Sequence, residues 1–243
     1  GKLMSETLLP DNKKIAFWRT NYPMAAYLVA FSIGNFNKIN DVIGNSSFPF
    51  VNYLYPSTNA NSGVMDNIEW TKTAMTLFEN HFGTYPFAAE KYGHMEFAVN
   101  GAAMEHQTMS SMNSFAKSTI AHELAHQWFG DLVTMEWWDD LWLNESFANM
   151  MEYVAIDAIE PDWHIWEQFS VSEAPMALNR DAIDGVQSVH VAVNHPDEIN
   201  TLFDGAIVYA KGARLMVMLR KWLGDTDASR IRPRIRVFQR TGV

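Results

Sequence analysis

The chain has 243 residues, 48% hydrophobic and 19% charged, which suits one large domain or one domain with part of another and sets disorder aside. A formal net charge of −10 argues against nucleic acid as a partner, since phosphate contacts need clustered Lys and Arg; the acidity either favours cationic ligands or serves only solubility. The sequence has no cysteine, which excludes disulfides and thiolate-held metal, leaves His and carboxylates to hold any metal ion, and fits a reducing cytoplasm.

The first fifty residues read as β. Tyr27, Val29, Phe31 and Ile33 alternate with smaller residues, the period-2 pattern of a half-buried strand, and residues 50–55 form a second candidate. Between them, residues 35–47 are polar and rich in Asn and Ser; residues 57–63 have turn composition. Val64, Ile68, Met75, Phe78 and Phe82 then fall on one helix face, ended by Gly83 and Pro86. A strand is expected over residues 92–99, a small-residue loop over 100–103, and helices over 115–129, stopped by Gly130, and 141–159, stopped before Pro161. Residues 180–203 read as irregular, and a last helix spans 205–223 with Asp204 as N-cap. Arg230, Arg232, Arg234, Arg236 and Arg240 crowd a tail expected to be solvated or frayed. No apolar run is long enough to span a bilayer. The opening Gly-Lys-Leu-Met-Ser-Glu-Thr has no basic-then-apolar leader, so no signal peptide is expected; the missing initiator Met points to an excised segment.

The decisive stretch is His122-Glu123-Leu124-Ala125-His126. Residues four apart on a helix share a face, so both imidazoles can reach one metal ion. Glu123 stands beside that face, within reach of a water on the ion without being a ligand itself; in the H-E-x-x-H arrangement this Glu is the general base. Glu145, in the next predicted helix, is the candidate third ligand. It would complete a His₂Glu zinc site with a position left open for water. Asp131, Asp139, Asp140 and Glu152 are candidates to orient the imidazoles, and the sequence does not choose among them.

The run from His122 to Ala148, HELAHQWFGDLVTMEWWDDLWLNESFA, resembles the zinc signature of the M1 family of aminopeptidases, the aminopeptidase N-like gluzincins. Residues 150–184 and 203–219 resemble the family's bacterial branch. The resemblance implies an α+β fold: a thermolysin-like catalytic domain, mainly helical with a small β-sheet, over residues 49–243. Residues 1–48 would be the last strands of an N-terminal β domain, and the family's C-terminal helical domain would be absent. It also implies one zinc ion and peptide substrates with a free N-terminal amine. The family's G-A-M-E-N loop corresponds to Ala102-Ala103-Met104-Glu105-His106, which places Ala102 and Ala103 at the substrate and assigns Glu105 to the substrate ammonium. Ala102 replaces the family Gly and His106 the family Asn; Gly101 can supply the lost flexibility. Tyr209 matches the family tyrosine that stabilises the oxyanion.

His81, His94, His106, His164, His190 and His195 are read as non-ligands, and Met104, Met150 and Met151 as core or pocket wall. A His₂Glu zinc site also serves endopeptidases, and a zinc-holding module with little catalysis is a third reading. Glu105 would separate the first two and Glu123 the third. With flanking domains missing, slow turnover is expected.

Overall fold

The computed structural model describes residues 1–224; the Arg-rich tail lies outside the described residues. Strands β1 (Lys2–Leu8) and β2 (Lys14–Arg19) form an antiparallel hairpin that is a sheet of its own. A 3-10 turn, Ala26–Leu28, follows. Strands β3 (Asn37–Ile43) and β4 (Phe48–Leu54) then open a second sheet, and the one-turn helix α1 (Pro56–Asn59) leads into the long helix α2 (Ser62–Phe82). Strands β5 (His94–Glu96), β6 (Ala103–Met104) and β7 (Ser110–Met112) complete the five-stranded sheet in the order β3-β4-β5-β7-β6, parallel at β4/β5 and β5/β7 and antiparallel at its two edges. Helices α3 (Lys117–Ala125), α4 (Leu141–Ile159), α5 (Ile165–Val171) and α6 (Glu173–Asp181) follow. A π-helical segment, Gly205–Lys211, runs directly into α7 (Gly212–Leu223). The result is the expected α+β chain with a small sheet.

Sequence period explains the core. Along β4, Phe48, Phe50, Asn52 and Leu54 turn inward while the residues between them stay more exposed, the period of two that buries one sheet face. Helix α2 lays Ile68, Thr71, Met75 and Phe78 on that face. Its first turn is capped by Asn61, whose side chain accepts from the Val64 N–H at 3.3 Å. Helix α4 is buried around most of its circumference because α3 packs against one side and α7 against another.

Several expectations are corrected. Residues 27–33 form no strand: Tyr27 and Leu28 fall in the 3-10 turn, and Phe31 and Ile33 are 89% and 93% exposed. Alternation makes a strand only where a neighbour offers a ladder, and none of the described residues lies alongside as one. Instead the polar stretch at 35–47 holds β3, paired with β4 at the edge of the sheet formed by the described residues, whose outward face tolerates polar residues. The strand expected over 92–99 is shorter, the helix over 115–129 regular only through Ala125, and the helix over 205–223 begins in π register. Asp204 does cap it, accepting from the Ala206 N–H at 2.9 Å.

Candidate active site

Helix α3 presents His122, its capping residue His126 continues the same face, and α4, packed beside it, brings Glu145 to the same point. The two Nε2 atoms are 3.1 Å apart, and each lies 3.3 Å from Glu145 Oε2. Donor atoms about 2.0–2.2 Å from a shared tetrahedral centre stand roughly 3.3–3.6 Å from one another, so this set closely fits one small divalent cation. Among the described residues it is the one His/Asp/Glu group found with that convergence.

Both imidazoles are held from behind. His126 Nδ1 donates to the Phe129 carbonyl at 3.0 Å, and His122 Nδ1 faces Glu152 Oε2 at 3.5 Å. In the neutral imidazoles that a metal ion selects, protonation at Nδ1 would leave each Nε2 lone pair turned inward. The backbone makes the first contact possible. Past α3 the chain reverses at Gly130, φ +140°, with the Asp131 N–H donating to the His126 carbonyl at 2.9 Å. A β-carbon at Gly130 would stand 3.2 Å from His126 Nδ1, so glycine suits both the angle and the space.

Of the four acids proposed to orient the imidazoles, only Glu152 touches one. Asp139 accepts from the Val193 N–H at 2.7 Å and Asp140 pairs with His190 at 2.8 Å, so both anchor the 190s loop. Asp131 is no solvated carboxylate: burial first, then the charges of Glu105 and Glu123, raise it well above its ordinary range.

Glu123 projects beside the cluster. It is buried, its Oε2 has no hydrogen-bond partner among the described residues, and burial with the Glu105 and Glu145 charges pushes its carboxyl up to about 8 against the pull of both imidazoles. Burial would raise Glu145 too, but His126 and His122 outweigh it and hold that carboxyl low. His126 is pushed up to about 9, the Glu105 and Glu145 carboxylates overcoming its burial.

Glu105 follows β6 at the sheet edge, buried, with its carboxyl raised by burial and by Glu145 and lowered by His126 and His122. Ala103 lies in β6 and Ala102 just before it, both half-buried. Tyr209, on the π segment, stacks on His122 with ring centroids 6.0 Å apart; burial and the charges of Glu145, Glu123 and Glu105 raise its phenol. The other histidines stay out of the cluster. His94 is buried against Asn52 and lowered to about 3 by burial, while His106 pairs with Ser111 at 2.8 Å.

Two residues escaped the sequence reading. Gln127, fully buried, donates through Nε2 to the Glu105 carbonyl and accepts at Oε1 from the Thr108 N–H and the Tyr85 hydroxyl, all at 3.0 Å. It thereby pins the Glu105 loop to the end of α3; its one signal was a polar amide directly after His126. Tyr27, whose hydroxyl accepts from Asn144 Nδ2 at 3.0 Å, ties the N-terminal segment to α4.

A sequence profile described as "Peptidase family M1 domain" matches residues 68–232, which include every member of this cluster. The chain belongs to peptidase family M1. Aminopeptidase N of Lactococcus lactis subsp. cremoris is 76% identical to this M1 chain over 123 residues, 51% of this chain and 14% of the relative. Aminopeptidase N of Lactobacillus delbrueckii subsp. lactis is 43% identical over 227 residues, covering 87% and 27%. Aminopeptidase 2, mitochondrial, of Saccharomyces cerevisiae is 34% identical over 232 residues, covering 88% and 24%. The M1 chain thus spans roughly a quarter or less of the length of these relatives. No helix among its described residues is long and apolar enough to cross a membrane.

Proposed function

We propose that the chain carries the catalytic centre of a zinc-dependent aminopeptidase that removes single residues from the free N-terminus of peptides. The observation that supports this best is the convergence of His122, His126 and Glu145 beside Glu123, whose buried Oε2 has no hydrogen-bond partner among the described residues. When bound, zinc supplies Lewis acidity that promotes ionisation of water and polarises a carbonyl. Glu123 is the general base. It takes the proton from the attacking water and returns it to the leaving amine, and its buried Oε2, which has no hydrogen-bond partner among the described residues, is free for both transfers. Tyr209, its phenol raised and so still an O–H donor at neutral pH, hydrogen-bonds the oxyanion. Glu105 pairs with the substrate ammonium, and the small Ala102 and Ala103 leave the adjoining backbone open to the peptide. A blocked N-terminus would bury the Glu105 charge without a partner.

In the same reading the thermolysin-like, gluzincin-type catalytic domain begins before residue 49, because β3 pairs with β4 in its sheet, and only the separate β1–β2 hairpin belongs with an N-terminal β domain. The cysteine-free composition supports a cytoplasmic enzyme.

The test pairs zinc analysis with hydrolysis of a leucyl reporter and its N-acetyl form. We expect stoichiometric zinc, cleavage of the free-amine substrate alone, and a Glu123→Gln variant that keeps zinc but not activity. Equal cleavage of both substrates would replace the reading with an endopeptidase. Unchanged turnover in Glu123→Gln would replace it with a zinc-holding module. Glu105→Ala should raise KM for free-amine peptides about tenfold or more while leaving zinc affinity intact.

A further inference from the structure

The residue after the third ligand, Ser146, is fully buried, and its hydroxyl donates to the Val208 carbonyl at 2.6 Å. Val208 immediately precedes Tyr209 and lies in the π-helical segment. There the Gly212 N–H reaches back to Ile207 and also to Tyr209, in place of the ordinary α-helical partner, Val208. The Ser146 hydroxyl therefore serves a carbonyl that the wider π turn displaces from its usual donor. Gly212 makes the approach possible: a β-carbon there would overlap Ser146 Oγ and stand 2.8 Å from Ser146 Cβ. One turn of α4 thus holds Glu145 in the cluster with one residue and the Tyr209 segment with the next.

We propose that Ser146 is a positioning residue. Seated in the space that Gly212 leaves, it locks the π register that sets the Tyr209 ring against His122. A widened turn shifts every later side chain around the helix axis, so the ring can meet His122 only while the extra residue stays in that turn. This inference rests on the aminopeptidase reading for what Tyr209 does, but not for how Tyr209 is placed.

The test separates the two. The chain is labelled uniformly with 3-fluorotyrosine, and the Tyr209 fluorine resonance is assigned as the one lost in Tyr209→Phe. In metal-free protein, Ser146→Ala should shift or split that resonance and leave the others in place. Gly212→Ala should perturb it further, and Ser146→Gly/Gly212→Ala, which makes room for the new methyl, should bring it back to the position seen in Ser146→Gly alone. With zinc and a leucyl reporter, Ser146→Ala should lower kcat about five- to tenfold with KM within about twofold. The same change should have no effect on kcat in the Tyr209→Phe background. A Tyr209 resonance unmoved by Ser146→Ala would overturn the proposal, as would an equal loss of kcat in both backgrounds. If the parent chain cleaves no reporter, the aminopeptidase reading fails, and the fluorine spectra still decide whether Ser146 places Tyr209.

Discussion

Replacing Gln127 with Leu removes a buried amide while keeping an apolar side chain of similar size. Three groups lose a partner: the Glu105 carbonyl, the Thr108 N–H and the Tyr85 hydroxyl. The Tyr85 hydroxyl still reaches the Lys91 carbonyl at 3.3 Å, so two backbone groups are stranded. An unsatisfied buried polar group costs about 1–3 kcal/mol, which gives a loss of roughly 2–6 kcal/mol from a total stability of about 5–15 kcal/mol. Urea denaturation of the parent and Gln127→Leu measures this as a fall in the midpoint at constant slope. The two stranded groups belong to the Glu105 loop, so KM for a free-amine substrate should rise in the same variant under conditions where it remains folded. A midpoint shift worth less than about 1 kcal/mol, with KM unchanged, would show that the amide does not hold the loop.

Three further outcomes are expected. Tyr209→Phe should lower kcat by about 10²-fold with KM little changed, since its hydrogen bond forms mainly in the transition state; a pure KM effect in steady-state kinetics would count against that role. Glu152→Gln, which weakens the carboxylate behind His122, should reduce zinc affinity about 10–100-fold in a competitive chelator titration, and an unchanged affinity would remove Glu152 from the site. Lys91 is pushed down to about 7 by burial, with Glu90 opposing, while the unfolded chain keeps an ordinary lysine. Between about pH 7 and 10 the unfolded state therefore binds the proton that the folded state has released, and this residue's contribution to stability rises with pH. Melting curves at pH 7 and pH 9 should show that gain in the parent and lack it in Lys91→Met; identical pH dependence would place the proton differently.

The parts of the fold readable from sequence were those with a long apolar period and local stop signals. α2 and α4 had both, with Gly83 and Pro161 as punctuation. The His/Glu cluster was readable for a related reason: His122 and His126 are bound to one face by helix geometry alone. Glu145 needed only to begin the neighbouring helix. What could not be read depended on partners distant in the chain. The alternating residues 27, 29, 31 and 33 found no strand to pair with among the described residues, whereas β3, unremarkable in composition, was recruited by β4. The choice of Glu152 from four acids followed from how α3 packs on α4, and Gln127 acts on a loop that precedes it by some twenty residues. The π turn before α7 has no local signature, since its register is settled by Ser146 on another helix.

The two imidazoles of the cluster are steered by different kinds of atom. His126 takes its orientation from a main-chain oxygen at Phe129, delivered by the reversal at Gly130, and no replacement of a side chain deletes a carbonyl. His122 takes its orientation from the carboxylate of Glu152, which a single codon change can shorten, neutralise or remove. Evolution and engineering therefore have a fixed pole and an adjustable one. Affinity and preference for the cation should drift through position 152, while the opposite pole stays constant for as long as the chain turns back at residue 130.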